Sequence, residues 1–438
     1  MYRRLKFACL AATAIVFALA PAHAELSADE ANIRDAVAAR EAEALAFLER
    51  VVTIGSGTMS HDGVKAVGTA FSAAFAELGF DVRWEDFPPE MNRAGHLIAT
   101  RKGKRGAKLL LIGHLDTVFE AADGAAAFQR EGDTAHGPGV ADMKGGDVVA
   151  LYALKALADV SALDGVSITV IFTGDEELTG KPIEASRKSL VDAAKRADIA
   201  LNFEGGEDGV AVTARRGAST WVLTTTGKRN HSSTVFSDDV GAGAIFEAAR
   251  ILDGFYDALH EEKFLTFNVG AIVGGSDVDY DAEATKGAAF GKTNVVAERA
   301  IAHGDLRFIS EAQKEKARAA MRAIVDAHRP LTGAEIEFAD SYPAMAPTAG
   351  NDRLLGVYAS VSADLGYGAI TGNDPSARGA ADISFAAPHV KASIDGLGPV
   401  GKGGHTPNES IEISSVREAT ERAAVLIYRL TQADAPRF

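Results

Sequence analysis

Cysteine is nearly absent from this sequence of 438 residues, which has a single one, Cys9, close to the amino terminus. If the first 24 residues are removed, the remaining chain has no disulfide and no thiol nucleophile. Any metal site in it must then use histidine and carboxylate side chains.

Long hydrophobic runs are also scarce, and the one that stands out lies at residues 7–19. Three basic residues precede this run, and the small-x-small pattern Ala22-His23-Ala24 follows it. This arrangement predicts a secretory signal peptide over residues 1–24, since a spanning helix needs about 20 apolar residues. We expect a secreted or periplasmic protein without a membrane anchor. The sequence leaves open whether export uses the general or the twin-arginine route.

Basic residues are the minority charge, with 45 Lys and Arg against 60 Asp and Glu. Without the first 24 residues, 42 basic residues remain against 60 acidic ones, which is a net charge of −18. So negative a protein is unsuited to binding nucleic acid or an anionic membrane. An anionic substrate would need a local basic pocket.

Strand-like and helix-like segments alternate along the chain after a helical stretch at residues 27–78. Ser27 and Glu30 fit a capping box at the start of that stretch. The alternation predicts an α/β fold with a mostly parallel central sheet between helices. Two strand–helix–strand units within residues 218–330 predict an inserted ferredoxin-like α+β domain. The main domain would then consist of residues 25–217 and 331–438.

Histidine and acidic residues gather where the predicted strands end, and open α/β sheets usually place their sites there. His114 and Asp116 follow the strand at 108–112, two residues apart and therefore on one face. Asp142 lies in the glycine-rich stretch 137–146, just before a helix. Taken alone, the histidine fits an ordinary surface residue and Asp142 fits a helix N-cap.

Three further strand ends carry such residues. Thr173-Gly-Asp-Glu-Glu-Leu178 places Glu176 and Glu177 after an apolar strand, where a solvated acidic turn is the alternative. Glu204 ends the strand at 199–203. His405 lies in the segment 398–409, which is too rich in glycine to be a packing element.

Together and in this order, these segments resemble the glutamate carboxypeptidase, aminoacylase and acetylornithine deacetylase family of two-zinc hydrolases. The resemblance spans nearly the whole chain after residue 24. It also includes the segments 227–232, 293–296, 305–307 and 379–382. It is strongest toward the glutamate carboxypeptidases.

The resemblance implies two zinc ions per subunit and a water-activating glutamate. His114 and Glu204 would bind one zinc, Glu177 and His405 the other, and Asp142 both. Glu176 would be the general acid/base, and Asp116 would support His114 as a carboxylate partner of its second ring nitrogen. The family pattern also implies a cis peptide bond between Asp142 and Met143.

The inserted domain carries function in this family as a dimerisation and lid domain. His231 matches a histidine that a dimer partner projects into the active site, where it can stabilise an oxyanion. Asn294 and Arg307 match residues that hold the substrate carboxylate. The resemblance therefore implies a homodimer acting on small peptides or N-acyl amino acids.

One position departs from the pattern of the glutamate carboxypeptidases. They have an arginine just before a Pro-Ala pair, and this sequence has Tyr342 in its place. A second substrate carboxylate would lose its cation there, although Arg215, Arg216 or Lys228 could replace it. We therefore expect a preference for apolar or aromatic released residues over glutamate.

The leading hypothesis is a secreted zinc carboxypeptidase. An N-acyl amino acid deacylase of the same fold is the nearest alternative, and an aminopeptidase fits Asn294 and Arg307 less well. A non-catalytic zinc-binding protein is the remote alternative, because Glu176 is present with every matched ligand.

Overall fold

The computed structural model describes residues 25–120, 127–282, 284–436 and 438. The predicted signal peptide, residues 1–24, lies outside the described residues. Within the described ranges, no helix combines the length and the apolar character needed to cross a membrane.

The helices of the described residues occupy both ends of the chain and the predicted insertion. In chain order they are α1 (Ala28–Ala39), α2 (Glu41–Thr53), α3 (His61–Glu77), α4 (Lys144–Asp159), α5 (Ile183–Ser186), α6 (Lys188–Ala194), α7 (Ala244–Leu259), α8 (Glu311–Asp326), α9 (Ala349–Asp364), α10 (Ile383–Ala386) and α11 (Ile413–Leu430). The capping box at the start of α1 is confirmed: Ser27 N–H donates to Glu30 Oε2 at 2.8 Å, and Glu30 N–H donates to Ser27 Oγ at 3.3 Å.

The strands fall into two large sheets and several small ones. In chain order they are β1 (Asp81–Glu85), β2 (His96–Arg101), β3 (Arg105–His114), β4 (Gln129–Glu131), β5 (Thr134–His136), β6 (Val166–Thr173), β7 (Ile199–Asn202), β8 (Val210–Ala211), β9 (Gly217–Thr226), β10 (Thr266–Gly275), β11 (Asp277–Asp281), β12 (Lys286–Phe290), β13 (Arg299–Phe308), β14 (Gly333–Asp340), β15 (Thr371–Gly372), β16 (Ala392–Ile394), β17 (Gly401–Lys402) and β18 (Ser410–Glu412).

The central sheet has the strand order β1-β2-β6-β3-β7-β16. Its pairs β6–β3, β3–β7 and β7–β16 are parallel, and β2 is antiparallel to both of its neighbours, β1 and β6. Alternate residues of β3 serve its two faces. Leu109 and Leu111 pack with α1–α4, α9 and α11, whereas Leu110 and Ile112 pack with α6 and α10. The predicted α/β fold with helices on both sides is confirmed.

One predicted helix, residues 182–194, is divided in the structure into α5 and α6. Arg187 separates them, because its backbone (φ −88°, ψ 4°) leaves the helical conformation. Its guanidinium is buried against Asp175 and Asp382, with Nη1 2.6 Å from Asp175 Oδ1 and Nε 2.7 Å from Asp382 Oδ1.

The inserted domain contains an antiparallel sheet of order β10-β13-β9-β14, covered on one face by α7 and α8. The chain order β9-α7-β10-β13-α8-β14 with this strand order is ferredoxin-like, as predicted. Trp221 on β9, Phe255 on α7 and Met321 on α8 form its core together with Phe308.

The sheet of this domain extends beyond the predicted boundary at residue 330. β14 pairs with β9 along its length, from Gly333–Thr226 to Asp340–Ser219. The sequence of β14 is strand-like in any domain, so only the long-range pairing places it in the insertion. The chain crosses between the domains at residues 215–218 and 341–345.

The strands direct the chain toward one edge of the central sheet. β3, β6 and β7 are parallel, so the residues that follow them emerge on the same side. A small sheet of order β17-β18-β5-β4 adds two loops there. One loop follows β5 and contains Asp142, and the other connects β17 to β18 and contains His405.

Candidate metal centre

Asp142 lies between two histidines and offers one carboxylate oxygen to each. Its Oδ1 is 3.1 Å from Nε2 of His114, and its Oδ2 is 3.1 Å from Nε2 of His405. The Asp142–Met143 peptide bond is cis, as the family pattern implies. Asp142 therefore bridges the two halves of the site and does not serve as a helix N-cap.

Two further carboxylates complete two groups of three ligand atoms. Glu204 Oε1 is 3.7 Å from His114 Nε2, and Glu177 Oε2 is 3.1 Å from His405 Nε2. The ligand atoms of each group, His114–Asp142–Glu204 and Asp142–Glu177–His405, lie within 4.8 Å of one another. The structure thus brings together all five predicted ligands, in the pairs that the resemblance implies.

The cluster contains several buried carboxylates close together, an arrangement that bound cations would stabilise. Burial raises the pKa of Glu204 to about 8, and burial likewise raises the pKa of Glu177 to about 7. The hydrogen bond to Asp142 raises the pKa of His405 to about 9. Oε1 of Glu177 is buried without a hydrogen-bond partner among the described residues. Three carboxylates and two imidazoles match the donor set that divalent metals such as zinc accept, so the residues fit two metal ions.

His405 reaches this position from a backbone conformation that is uncommon outside glycine. Its φ is +62°, and Gly403 two residues earlier has φ +71°. A non-glycine residue in the left-handed region persists only where its surroundings hold it. The glycine-rich sequence around His405 is therefore part of how the loop turns this side chain toward Asp142.

Asp116 has contacts beyond the one expected with His114. The nearest partner of His114 Nδ1 is the carbonyl oxygen of Asp116, at 3.0 Å, and the carboxylate is more distant, at 3.5 Å. The carboxylate also accepts the backbone N–H groups of Glu176 and Glu177, at 3.0 and 3.1 Å, and the hydroxyl of Thr58 at 2.6 Å. Asp116 therefore fixes the turn that carries both glutamates.

Glu176 lies on that turn beside the ligand group Glu177. Burial raises the pKa of Glu176 well above its ordinary value, and the carboxylates of Glu204 and Asp382 add to the rise. A carboxylate with a raised pKa beside a metal centre is suited to accept a proton from water and to return it.

Sequence reasoning assigned no role to Glu409, although it lies four residues after His405. Its buried carboxylate accepts three backbone N–H groups, from Gly139 at 3.0 Å, Ala141 at 2.7 Å and Asp142 at 2.9 Å. Glu409 thereby ties the loop of His405 to the loop of Asp142. Its place at the end of the His405 segment was the available signal.

The cleft at the metal centre has a volume of about 670 Å³. Its lining includes Asp142 and Glu204 together with Arg378 and Lys402. Arg378 was also missed by sequence reasoning. Its Nη2 donates to the carbonyl oxygen of Gly205 at 2.9 Å, beside the ligand Glu204. The signal was a basic residue directly before the motif at 379–382.

The predicted residues of the inserted domain are not among those that line this cleft. His231 and Asn294 lie together, since Ser232 N–H donates to the Asn294 carbonyl oxygen at 2.9 Å, and both side chains are exposed. Arg307 pairs with Asp305 at 2.8 Å. Arg307 lies opposite Ala218 at the crossing end of the sheet, whereas Arg299, near Asn294, lies opposite Thr226 at the far end.

The side chains expected to adjust the specificity have other partners. Arg215 forms a buried ion pair with Asp395 at 2.6 Å. Lys228 Nζ donates to the carbonyl oxygen of Asp239, and Arg216 Nη1 donates to Thr266 Oγ1. The Tyr342 hydroxyl donates to the carbonyl oxygen of Glu176 at 3.1 Å, so it also has a partner in the glutamate turn. The expected preference for apolar or aromatic released residues stays a prediction.

Comparisons with known proteins agree with this geometry. The pattern of the peptidase family M20/M25/M40 matches residues 110–429. The chain is 29% identical over 396 residues to carboxypeptidase G2 of Pseudomonas sp. (strain RS-16), which covers 87% of this chain and 88% of that protein.

Solved structures share the fold. Aminopeptidase PepT of Bacillus cereus superposes with a TM-score of 0.66 at 18% identity, covering 89% of this chain and 98% of its own. The YXEP protein of Bacillus subtilis is described as a dinuclear metal binding peptidase from the M20 family. It superposes with a TM-score of 0.62 at 12% identity, covering 89% of this chain and 98% of its own. With the family pattern matched over most of its length, this chain belongs to the peptidase family M20/M25/M40 and is a hydrolase of the metallopeptidase class.

Proposed function

We propose that this protein is a secreted dinuclear zinc carboxypeptidase that releases the C-terminal amino acid from small peptides or N-acyl amino acids. The observation that carries the proposal is the shared Asp142, whose two oxygens face two histidine–carboxylate pairs and which lines the cleft together with Glu204. Zinc suits the mixed nitrogen and oxygen donors and needs no redox chemistry.

The two metal ions would supply Lewis acidity, which lowers the pKa of a water molecule toward ~7 and polarises the scissile carbonyl. Glu176 accepts the proton of the attacking water and passes it to the leaving amide nitrogen. Asp116 keeps the backbone of Glu176 and Glu177 in place, so that one glutamate serves as base while its neighbour serves as ligand.

A free carboxylate on the substrate distinguishes a carboxypeptidase from an aminopeptidase, and guanidinium groups suit it best. Arg307 at the crossing end of the inserted sheet is proposed to hold this carboxylate, and Arg378 adds a second guanidinium within the metal cleft. The extensive likeness to carboxypeptidase G2 supports the same assignment.

Arg307 and the pair His231–Asn294 lie toward opposite ends of β13, which supports their serving one active site from two different subunits. From Arg299 to Arg307 the strand β13 advances eight residues, about 26 Å at ~3.3 Å per residue. We therefore propose a homodimer in which His231 and Asn294 of the partner subunit complete the site. His231 would stabilise the oxyanion, and Asn294 would join Arg307 at the substrate carboxylate.

An exposed apolar surface on the inserted domain supports this dimer. Ile245, Phe246 and Tyr256 on α7 are 48, 55 and 56% exposed, and Ile272 on β10 is 53% exposed. β10 is an edge strand of its sheet. A helix face and a sheet edge of this kind suit a symmetric contact with a second copy.

Export through the predicted signal peptide 1–24 completes the proposal, and we expect neither nucleic acid nor a membrane as partner. An N-acyl amino acid deacylase has the same chemistry and differs in the acyl group accepted, so the substrate decides between the two. A non-catalytic zinc protein would bind metal and hydrolyse nothing.

The test is a hydrolysis panel with the purified, metal-loaded protein. N-blocked dipeptides, N-acyl amino acids and folate-like conjugates should release free amino acid, and the same substrates with an amidated C-terminus should not. Cleavage of amidated peptides that have a free N-terminus would instead indicate an aminopeptidase. A matched pair of substrates with Phe or Glu as the released residue reports whether Arg378 favours an acidic side chain.

A further inference from the structure

The hydroxyl of Tyr342 contacts the turn that carries Glu176. Its Oη donates to the carbonyl oxygen of Glu176 at 3.1 Å. It is also 2.7 Å from Thr179 Oγ1 and 3.3 Å from Nη2 of Arg187. Three polar groups from two segments of the main domain therefore converge on this one oxygen.

These contacts use the full hydrogen-bonding capacity of a phenol. A tyrosine hydroxyl has one hydrogen to donate and two lone pairs. Arg187 can only donate, and Thr179 can donate its hydroxyl hydrogen. The phenolic hydrogen is then committed to the carbonyl oxygen of Glu176. Burial raises the pKa of Tyr342, which favours the protonated phenol near neutral pH.

Tyr342 lies on the segment by which the chain returns from the inserted domain. Its carbonyl oxygen accepts the N–H of Ala218 at 2.8 Å, and Ser341 N–H donates to the Ala218 carbonyl oxygen at 3.2 Å. Arg215 and Met345 exchange two more backbone hydrogen bonds, at 3.0 and 3.1 Å. The two crossing segments thus form one paired connection, and the Tyr342 side chain extends from it to the catalytic turn.

The peptide groups of Glu176 are held from two sides. Asp116 accepts its N–H at 3.0 Å, and Tyr342 donates to its C=O at 3.1 Å. We propose that Tyr342 is a positioning residue, which fixes the Glu176 turn and links it to the connection between the domains. This inference rests on the proposed role of Glu176 as general base.

The ring of Tyr342 has a separate, purely structural contact. It packs against Phe385 with ring centroids 4.9 Å apart. Tyr342→Phe keeps the ring and removes only the hydroxyl, so it separates positioning from packing. Tyr367→Phe is the matched control, because it removes a hydroxyl that donates to Glu421 at 2.6 Å, away from the metal centre.

Kinetics on the best substrate of the panel give the first readout. We expect Tyr342→Phe to lower kcat by roughly tenfold, a fraction of the 10²–10⁴-fold that a general base contributes. KM, metal content and the behaviour of Tyr367→Phe should stay close to the wild type. An unchanged kcat in Tyr342→Phe, measured beside an active wild type, would overturn the proposal.

Hydrogen exchange gives a second readout that needs no turnover. Peptides covering residues 174–180 should exchange faster in Tyr342→Phe than in the wild type, and those covering 134–142 should not. Equal exchange over 174–180 would overturn the proposal even if no substrate were found. An inactive wild type with the expected exchange difference would count against the proposed function alone.

Discussion

The carboxylate of Glu409 accepts the backbone N–H of Asp142 at 2.9 Å, although the two residues lie 267 positions apart. Two more backbone N–H groups of the same loop bind this carboxylate, and the glutamate is only 2% exposed. The bridging ligand is thus anchored by its backbone as well as by its side chain. Partners of this kind commonly affect metal affinity by 10–100-fold.

Replacing Glu409 with glutamine should weaken metal binding. The amide group of glutamine presents N–H groups to a loop that offers only N–H groups, so at least one hydrogen bond is lost. We expect a roughly 10–100-fold weaker metal affinity in a folded protein. Glu184→Gln, on an exposed residue of α5 that does not line the metal cleft, is the control for metal titrations monitored by calorimetry. Equal affinities in both variants would contradict this role.

Asp142→Ala should abolish the binding of both metal ions, because each ligand group depends on this residue. A capping aspartate would cost only about 1 kcal/mol of stability and no metal. Metal content per subunit, measured by mass spectrometry after dialysis, should be two in the wild type and near zero in the variant. Asp133→Ala, which removes a carboxylate that binds Ser414, should retain two.

Glu176→Gln should keep the fold and both metal ions and lose most of the turnover, about 10²–10⁴-fold in kcat. The amide is close in shape to the carboxylate but cannot take up the proton. Glu184→Gln, on an exposed glutamate of α5, should behave as the wild type. Near-normal kcat at full metal occupancy would mean that another group receives the proton.

Metal binding at pH 7 should release protons. Burial raises the pKa of Glu204 to about 8, and the hydrogen bond to Asp142 raises that of His405 to about 9, so both sites hold protons at pH 7 without metal. A metal ion needs the deprotonated ligands, and its affinity should therefore increase as the pH rises toward about 9. Calorimetric titrations at pH 7 in buffers of different ionisation enthalpy measure the release, and identical heats in all buffers would refute it.

His231→Ala and Glu176→Gln should complement each other if His231 acts across the dimer. A mixed dimer has one site with both residues intact. Random pairing of equal amounts gives about a quarter of the wild-type activity, because about half of the dimers are mixed and one of their two sites works. Differently tagged chains, co-expressed and purified through both tags, provide the mixed dimer. If light scattering shows that the wild-type protein is a monomer and that monomer is fully active, the mechanism is excluded.

The ligand set of the metal centre was available from the sequence by itself, through the resemblance that the order of its segments implies. His114, Glu177 and Glu204 follow strands whose apolar composition marks them as buried in a parallel sheet, and such strands end at a common edge. The order of the segments was then enough to identify the family. The capping box of Ser27 and Glu30 was also predictable, because it is a contact between neighbours in the chain.

Only the tertiary structure decided how this ligand set is supported. The carboxylates of Glu409 and Asp116 accept hydrogen bonds from backbone N–H groups. Because almost every residue has such a group, the sequence does not indicate which ones these carboxylates bind. The sequence of β14 is typical of a strand in either domain, and only its pairing with β9 assigns it to the inserted domain. Arg307 and Asn294 are both expected to hold the substrate carboxylate, although they lie toward opposite ends of a sheet. The position of Tyr342 in the chain suggested a substrate contact, and only the structure shows that its hydroxyl donates to the carbonyl oxygen of Glu176. Pairings and side-chain directions depend on contacts between distant residues, which residue order alone does not specify.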